Sequence, residues 1–195
     1  MKEENLSEQE SLELINRMIH EGKNYFDESG TGSLIGGFSV LICSLLAYFR
    51  SKGWYFPFHP FYLLIPAFLL QTYFWKKSEQ QKKAKTFTDE AIDHVWGGFY
   101  ISSAIVVIAG ILSGLEYIII PVCLFLSAFA AFVTGMVAKF RYHIFTSVAC
   151  WCLAAASLFF LNENSYLLLA VASIIVWVIP GFMMNAYLKK LHYGK

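Results

Sequence analysis

Residues 76–99 read KKSEQQKKAKTFTDEAIDHVWGGF and form the only long polar segment between two apolar regions of the chain. The segment starts with lysines, continues through mixed charges, and ends where the next apolar run begins. It therefore separates a first pair of apolar segments from the rest of the chain. It also holds the densest cluster of ionisable side chains, so it bears on both topology and chemistry.

The composition indicates a membrane protein. Of 195 residues, 57% are hydrophobic and 17% aromatic, while only 15% are charged. Soluble domains carry about 25% charged residues, so this chain has a clear deficit of charge. The net charge of +1 gives no basic field, and no nucleic-acid partner is expected. The cysteines all lie inside apolar runs, and we interpret them as small packing residues.

The apolar runs predict an all-α polytopic membrane protein. A backbone in lipid must satisfy its own hydrogen bonds, and each run approaches the roughly 20 residues that a crossing helix needs. Six transmembrane helices are predicted within a membrane domain over 33–188, at residues 33–49, 60–75, 92–112, 117–138, 142–161 and 166–188. An N-terminal amphipathic helix and glycine-rich entry occupy 1–32, a basic loop occupies 76–91, and a tail follows over 189–195.

Residues 5–28 are predicted to form the amphipathic helix, because apolar side chains recur at three- and four-residue steps opposite a charged face. The apolar stripe consists of Leu12, Ile15, Met18, Ile19, Tyr25 and Phe26. This helix could lie on the membrane surface, dock a cytoplasmic protein, or pack on the protein's own loops. The glycines that follow are expected to break the chain before the first span. They are Gly30, Gly32, Gly36 and Gly37.

Basic residues predict the orientation, since they collect on the cytoplasmic side of a membrane protein. With six spans, thirteen of the fifteen Lys and Arg residues fall on one side. The other side holds only Arg50 and Lys52. Both termini and the 76–91 loop are therefore expected in the cytoplasm, with the spans in a bacterial inner membrane.

An internal echo predicts that the spans are arranged as three helical hairpins of the same orientation. The second span begins Tyr62-Leu-Leu-Ile-Pro66, and the fourth begins Tyr117-Ile-Ile-Ile-Pro121. Parallel repeats of this kind occur in transporters, but they also arise in proteins that transport nothing. A chance likeness between apolar helices that begin with an interfacial tyrosine remains the alternative.

The spans carry few groups for chemistry. None has Asp, Glu, Lys or Arg near its centre, which argues against a proton-coupled pump. A small-residue stripe at four-residue spacing predicts close helix packing, and it consists of Cys123, Ser127, Ala131 and Gly135. Pro66, Pro121 and Pro180 lie inside spans and are expected to kink them, either as packing features or as hinges.

The sharpest candidate site is a cytoplasmic cluster formed by the starts of the third and fifth spans. It consists of Asp89, Glu90, Asp93, His94, Arg141 and His143. Glu90 and His94 are four residues apart and share a helix face. Carboxylates with imidazoles suit Zn, Mn or Fe, whereas ordinary capping of a helix start accounts for the acidic residues equally well. Because no ligand triplet with metal-like spacing occurs, neither a metal nor a cofactor is predicted.

Several short motifs resemble a family of uncharacterised six-span bacterial inner-membrane proteins. They are the N-terminal amphipathic helix, Thr86-Phe-Thr-Asp89 followed by Trp96, Gly135 with Lys139-Phe140, Cys150-Trp151 with Leu153-Ala154, and Ile179-Pro180-Gly181. Members of that family have Trp-Gly-Trp where this chain has Gly36-Gly37-Phe38. The resemblance implies the six-span topology, and it implies no activity.

These features favour a non-enzymatic accessory or sensory component with a cytoplasmic docking face. Its expected partners are the lipid bilayer and a cytoplasmic protein bound through helix 5–28, and a homo-oligomer is left open. A small transporter for a neutral or weakly polar solute is the main alternative. An intramembrane enzyme ranks third, because no catalytic residues are visible.

Overall fold

The computed structural model describes the backbone of residues 8–81, 87–160 and 163–193, and side chains over 30–74, 76, 88, 90–160 and 163–186. The described backbone is helical and contains no strand. This confirms the prediction of an all-α chain. The helices are long and apolar, as expected for a polytopic membrane protein.

Seven α-helices follow one another in the described chain, with a short 3-10 turn and a π-helical turn between some of them. They are α1 (Glu8–Ser51), a 3-10 turn (Pro60–Leu63), α2 (Leu64–Gln81), α3 (Phe87–Leu112), α4 (Glu116–Val137), α5 (Arg141–Phe159), α6 (Asn164–Ser173), a π turn (Ile174–Val178) and α7 (Ile179–Tyr193). The last three elements are consecutive and form one helical rod.

Five helical stretches are long and apolar enough to cross a membrane. They are Gly30–Ser51, Glu90–Leu112, Glu116–Val137, Arg141–Phe159 and Asn164–Ala186. A sixth stretch, Pro60–Phe74, is also apolar but shorter. Large apolar side chains face outward along these helices, for example Phe145 at 73% exposure and Ile101 at 65%. A soluble protein rarely exposes such contiguous apolar surface, whereas lipid accepts it.

The predicted glycine break is wrong, because α1 continues from Glu8 to Ser51 without interruption. The glycines serve helix packing instead. A methyl group placed on Gly37 would lie 2.9 Å from side-chain atoms of both Trp177 and Val178. A methyl group on Gly181 would lie 2.8 Å from the side chain of Leu34. Small residues thus let α1 approach the α6–α7 rod closely, and the glycine cost in helix propensity is offset by contact.

The core lies between α4, α5 and the rod, and it is built from small side chains. Its buried members are Leu124, Ala128, Ala131, Cys150, Ala154, Ala172 and Val176. Helices in lipid gain little from hydrophobic burial against one another, so van der Waals contact between closely spaced backbones drives their association. Alanine and cysteine allow that spacing. On the far side of α4, α3 packs against it, and α2 packs against α1.

We predict that Gly37→Ala destabilises the protein by about 1–3 kcal/mol, the usual cost of overpacking a tight contact. The added methyl group would meet the side chain of Trp177 and would lie only 3.2 Å from the backbone nitrogen of Val178. A backbone atom inside a packed helix cannot move aside as a flexible side chain can. A lower melting temperature of the purified protein in detergent is the expected result.

The matched control is Gly32→Ala in the same helix, where an added methyl group meets nothing within 4 Å. This change should leave the melting temperature unchanged or raise it, because alanine favours helix over glycine by about 1 kcal/mol. Equal melting temperatures for the two variants would contradict the close contact between α1 and the rod.

Candidate functional site

The acidic part of the cytoplasmic cluster lies in the first turns of α3. Glu90 and His94 are both exposed there. The Nδ1 atom of His94 lies 2.6 Å from the backbone carbonyl oxygen of Glu90, to which it can donate, so this nitrogen does not bind the Glu90 carboxylate. The side chain of Asp89 lies outside the described side chains. This arrangement is an i,i+4 side-chain contact at a helix start.

The other part of the cluster divides between two environments at the start of α5. Arg141 is exposed, whereas His143 is only 8% exposed. The His143 ring contacts the Phe140 ring edge-on at 5.2 Å, and its Cβ lies 2.9 Å from a methyl group placed on Gly135. The absence of a side chain at Gly135 therefore makes room for this histidine against α4.

The structure does not assemble the cluster into a metal centre. Within the described residues, no group of three His, Cys, Asp or Glu is placed to hold a metal ion. His94 faces outward on α3, while His143 is buried between α4 and α5. The shared helix face of Glu90 and His94 gives a backbone contact rather than a pair of ligands.

The small-residue stripe lies at the α4–α5 interface. Ala131 is fully buried, Ser127 is 5% exposed, and Gly135 is buried under His143 and Ile144. The Oγ atom of Ser127 lies 3.7 Å from the Sγ atom of Cys150 on α5. Cys123, at the other end of the stripe, is partly exposed. The stripe therefore contributes packing contacts and leaves no space for a ligand along most of its length.

Buried hydroxyl groups in the spans bond to their own helices. Each donates to a carbonyl oxygen three or four residues earlier, which satisfies the group without any partner from outside. The pairs are Ser44 with Val40, Ser127 with Leu124, Thr134 with Ala130, Ser147 with Ile144, Ser157 with Ala154, and Ser173 with Ala170, at 2.6–2.9 Å. These hydroxyls do not line a polar path across the bundle.

The three prolines occupy different kinds of position. Pro66 is the third residue of α2, where a helix has no intrahelical acceptor for the missing N–H. Pro121 lies inside α4. Pro180 follows directly after the π turn, a backbone form that absorbs an irregular hydrogen bond. There the hydroxyl of Ser33 donates to the carbonyl oxygen of Trp177 at 2.8 Å, so α1 supports the irregular turn.

A polar contact between α2 and α3 was not predicted from the sequence. The Nε2 atom of Gln71 donates to the hydroxyl of Tyr100 at 3.0 Å. Tyr100 belongs to an aromatic group with Trp96, Phe99 and Trp177, whose rings contact one another. The available signal was the amide itself, since Gln71 and Asn185 are the only Asn or Gln side chains in the six apolar runs.

A second unpredicted feature is a pocket where α1 ends, which we call the Arg50 pocket. It has a volume of about 220 Å³ and is lined by Ala47, Arg50, Ser51, His59, Pro60 and Tyr166. The Nη1 atom of Arg50 donates to the carbonyl oxygen of Phe58 at 2.9 Å, which fixes the guanidinium at the pocket wall. The pocket thus joins α1, the 3-10 turn and α6 at the end of the molecule.

An ion pair lies at the same end of the molecule. The Nζ atom of Lys52, after α1, lies 2.5 Å from Oε2 of Glu163, before α6. The hydrogen bond to Glu163, and then its negative charge, raise the pKa of Lys52. A raised pKa means that the pair contributes fully below the ordinary lysine pKa and is lost as the pH rises through the folded-state value.

Comparison with known proteins finds no matching family model, no similar curated protein and no similar solved structure. Inferences about function therefore rest on the geometry of the described residues.

We predict that Ala131→Leu lowers the melting temperature in detergent, because Ala131 is fully buried in the α4–α5 core. Inserting a larger side chain into a close-packed site costs about 1–3 kcal/mol. The matched control is Ala155→Leu, at an exposed position of α5. The control should melt like the wild type, and an unchanged melting temperature for Ala131→Leu would contradict the packing role of the stripe.

Proposed function

We propose that the chain is a non-enzymatic accessory or sensory protein of a bacterial inner membrane. It crosses the membrane six times as three hairpins and keeps both termini in the cytoplasm. The observation that carries this proposal is the closed interior, in which buried hydroxyls bond to their own helices and alanines pack together. Such an interior suits a scaffold better than a solute path or a reaction centre.

The ion pair between Lys52 and Glu163 supports the sixth crossing. The contact places the loop after α1 and the loop before α6 at one membrane face. The chain between them must then cross the membrane an even number of times. Three of these crossings come from Glu90–Leu112, Glu116–Val137 and Arg141–Phe159. The shorter apolar stretch Pro60–Phe74 supplies the fourth.

The length of the second helical segment is compatible with that crossing. The 3-10 turn and α2 together run from Pro60 to Gln81. At about 1.5 Å per α-helical residue and about 2.0 Å per 3-10 residue, this stretch rises about 35 Å, against a hydrocarbon core of about 30 Å. Six crossings also bring thirteen of fifteen basic residues to the cytoplasmic side.

The cytoplasmic docking face is proposed to be the N-terminal part of α1. The helix extends from the membrane-crossing stretch at Gly30–Ser51 back to Glu8, so about five turns precede the span. The sequence gives this part an apolar stripe opposite a charged face. A continuous helix would couple a partner bound at this stripe to the contact between α1 and the α6–α7 rod.

A small transporter for a neutral or weakly polar solute is the second candidate, and one observation favours it. Gln71 and Tyr100 join α2 to α3 through side chains, and a methyl group placed on Gly36 would lie 3.5 Å from the Gln71 amide. An amide and a hydroxyl meeting between apolar helices could contact a passing polar group.

Cysteine accessibility tests the sixth crossing. In intact cells, a membrane-impermeant maleimide should label Tyr55→Cys, whose position is 90% exposed in the loop after α1. Ser78→Cys should be labelled only after the cells are permeabilised, because α2 would carry it to the other side. The native cysteines, which lie in apolar runs, are replaced by serine in the background. Labelling of both positions in intact cells would contradict a crossing by α2.

Site-specific photo-crosslinking tests the docking function. A crosslinking residue at Ile15, on the apolar stripe, should give a discrete adduct with one cytoplasmic protein in cells. The matched control is Arg17 on the charged face, where adduct formation should fall by about tenfold or more if partner contact is made through the stripe, since each 1.4 kcal/mol changes binding tenfold.

Proteoliposomes separate the two candidate functions. The accessory proposal predicts no flux of glycerol or urea above that of protein-free vesicles. Flux that is lost in Gln71→Leu and retained in Thr72→Val would instead support the transporter. Thr72 is a matched control, because its hydroxyl donates to the Leu69 carbonyl oxygen of the same helix.

A further inference from the structure

The Arg50 pocket offers several hydrogen-bond donors around one small space. Its lining residues include a guanidinium, an imidazole, and the hydroxyls of a serine and a tyrosine. Only one guanidinium nitrogen of Arg50 is held by the protein, through the Phe58 carbonyl oxygen. Because a guanidinium carries five N–H donors in a planar fork, most of them stay available to a ligand.

The charge of the pocket is positive. None of the described residues that line it carries a carboxylate. Glu163, the acidic residue of the neighbouring loop, is engaged by Lys52 at 2.5 Å. Within the described part of the chain, no ion pair involves Arg50. A permanently charged guanidinium without an acidic partner, beside two further polar side chains, attracts an anion with acceptor oxygens.

We propose that the Arg50 pocket binds the phosphate group of an anionic ligand, with Arg50 as the main contact and His59 and Tyr166 as flanking donors. Arginine forks match the geometry of phosphate oxygens and bind them through two parallel hydrogen bonds. A volume of about 220 Å³ is below the roughly 300–1,000 Å³ of sites for drug-sized molecules. The pocket therefore takes a phosphate with a small substituent and leaves any larger part of the ligand outside.

The surroundings identify a phospholipid headgroup as the ligand. Aromatic side chains near the pocket are strongly exposed, with Trp54 at 63%, Tyr55 at 90% and Tyr62 at 64%. Tryptophan and tyrosine collect at the level of lipid headgroups, where phosphates also lie. The choice of a lipid over a free phosphate ester rests on the proposed membrane insertion, whereas the phosphate chemistry of the pocket does not.

Binding to the purified full chain in a neutral detergent tests the proposal. Dihexanoyl-phosphatidylglycerol should raise the melting temperature of the wild type in a saturable way, and dihexanoylglycerol, which lacks phosphate, should not. Arg50→Gln should weaken the apparent affinity by about tenfold or more, the change that a lost charged hydrogen bond produces. Lys76→Gln is the matched control, since it removes an exposed positive charge at the far end of α2.

Two further variants keep the test decisive if Arg50→Gln does not fold. Tyr166→Phe retains the ring that contacts Phe61 and removes only the hydroxyl, and Arg50→Lys retains the charge and removes the fork. Both should weaken phosphatidylglycerol binding without lowering the melting temperature of the ligand-free protein. Equal affinity in these variants and the wild type would overturn the proposal.

Glycerol phosphate distinguishes the two sources of the phosphate. Stabilisation by phosphatidylglycerol and not by glycerol phosphate supports a lipid headgroup. Equal stabilisation by both would overturn the lipid assignment and identify a soluble phosphate ester. Because this assay is performed in detergent, it is independent of the cysteine-accessibility experiment, so failure of the topology and failure of the pocket can be told apart.

Discussion

Close approach of backbones at small residues is the constraint on which this structure depends. Gly37 leaves no space for even a methyl group beside Trp177 and Val178, and Gly181 has the same relation to Leu34. On the other side of the bundle, Ala131 and Gly135 bring α4 against α5. Apolar surfaces gain little by leaving lipid for one another, so contact distance takes the place of hydrophobic burial as the stabilising term.

The same constraint governs the polar groups. A hydroxyl in a dry interface must find an acceptor, and the nearest is a carbonyl of its own helix. Ser127, Thr134 and Ser157 all follow this pattern. Ser33 is different, because it donates across to Trp177 on the rod, where the π turn and Pro180 disturb the regular ladder. Long-range polar contacts therefore mark the irregular or unfilled places in the bundle.

Polar side chains that face a space lie mainly at the end of the bundle where α1 stops. The ion pair of Lys52 with Glu163 ties two loops together there, and the Arg50 pocket lies beside them. Sequence reasoning placed the chemistry at the opposite end, in the cluster around His94 and His143. Those histidines have separate environments, because Gly135 admits His143 into the α4–α5 interface while His94 stays outside on α3.

The sequence by itself determined the all-α class and the positions of the long apolar helices, because both follow from runs of local composition. The predicted fourth span at 117–138 differs from α4, Glu116–Val137, by one residue at each end. Local rules also explain the error at Gly30–Gly37, since a glycine's helix propensity says nothing about a distant helix that needs its small size. Only the tertiary structure decided that Gln71 meets Tyr100 and that Tyr166 completes the wall beside Arg50. Those contacts join helices far apart in the chain, and helix neighbours are selected by packing, which leaves no periodic trace in the sequence.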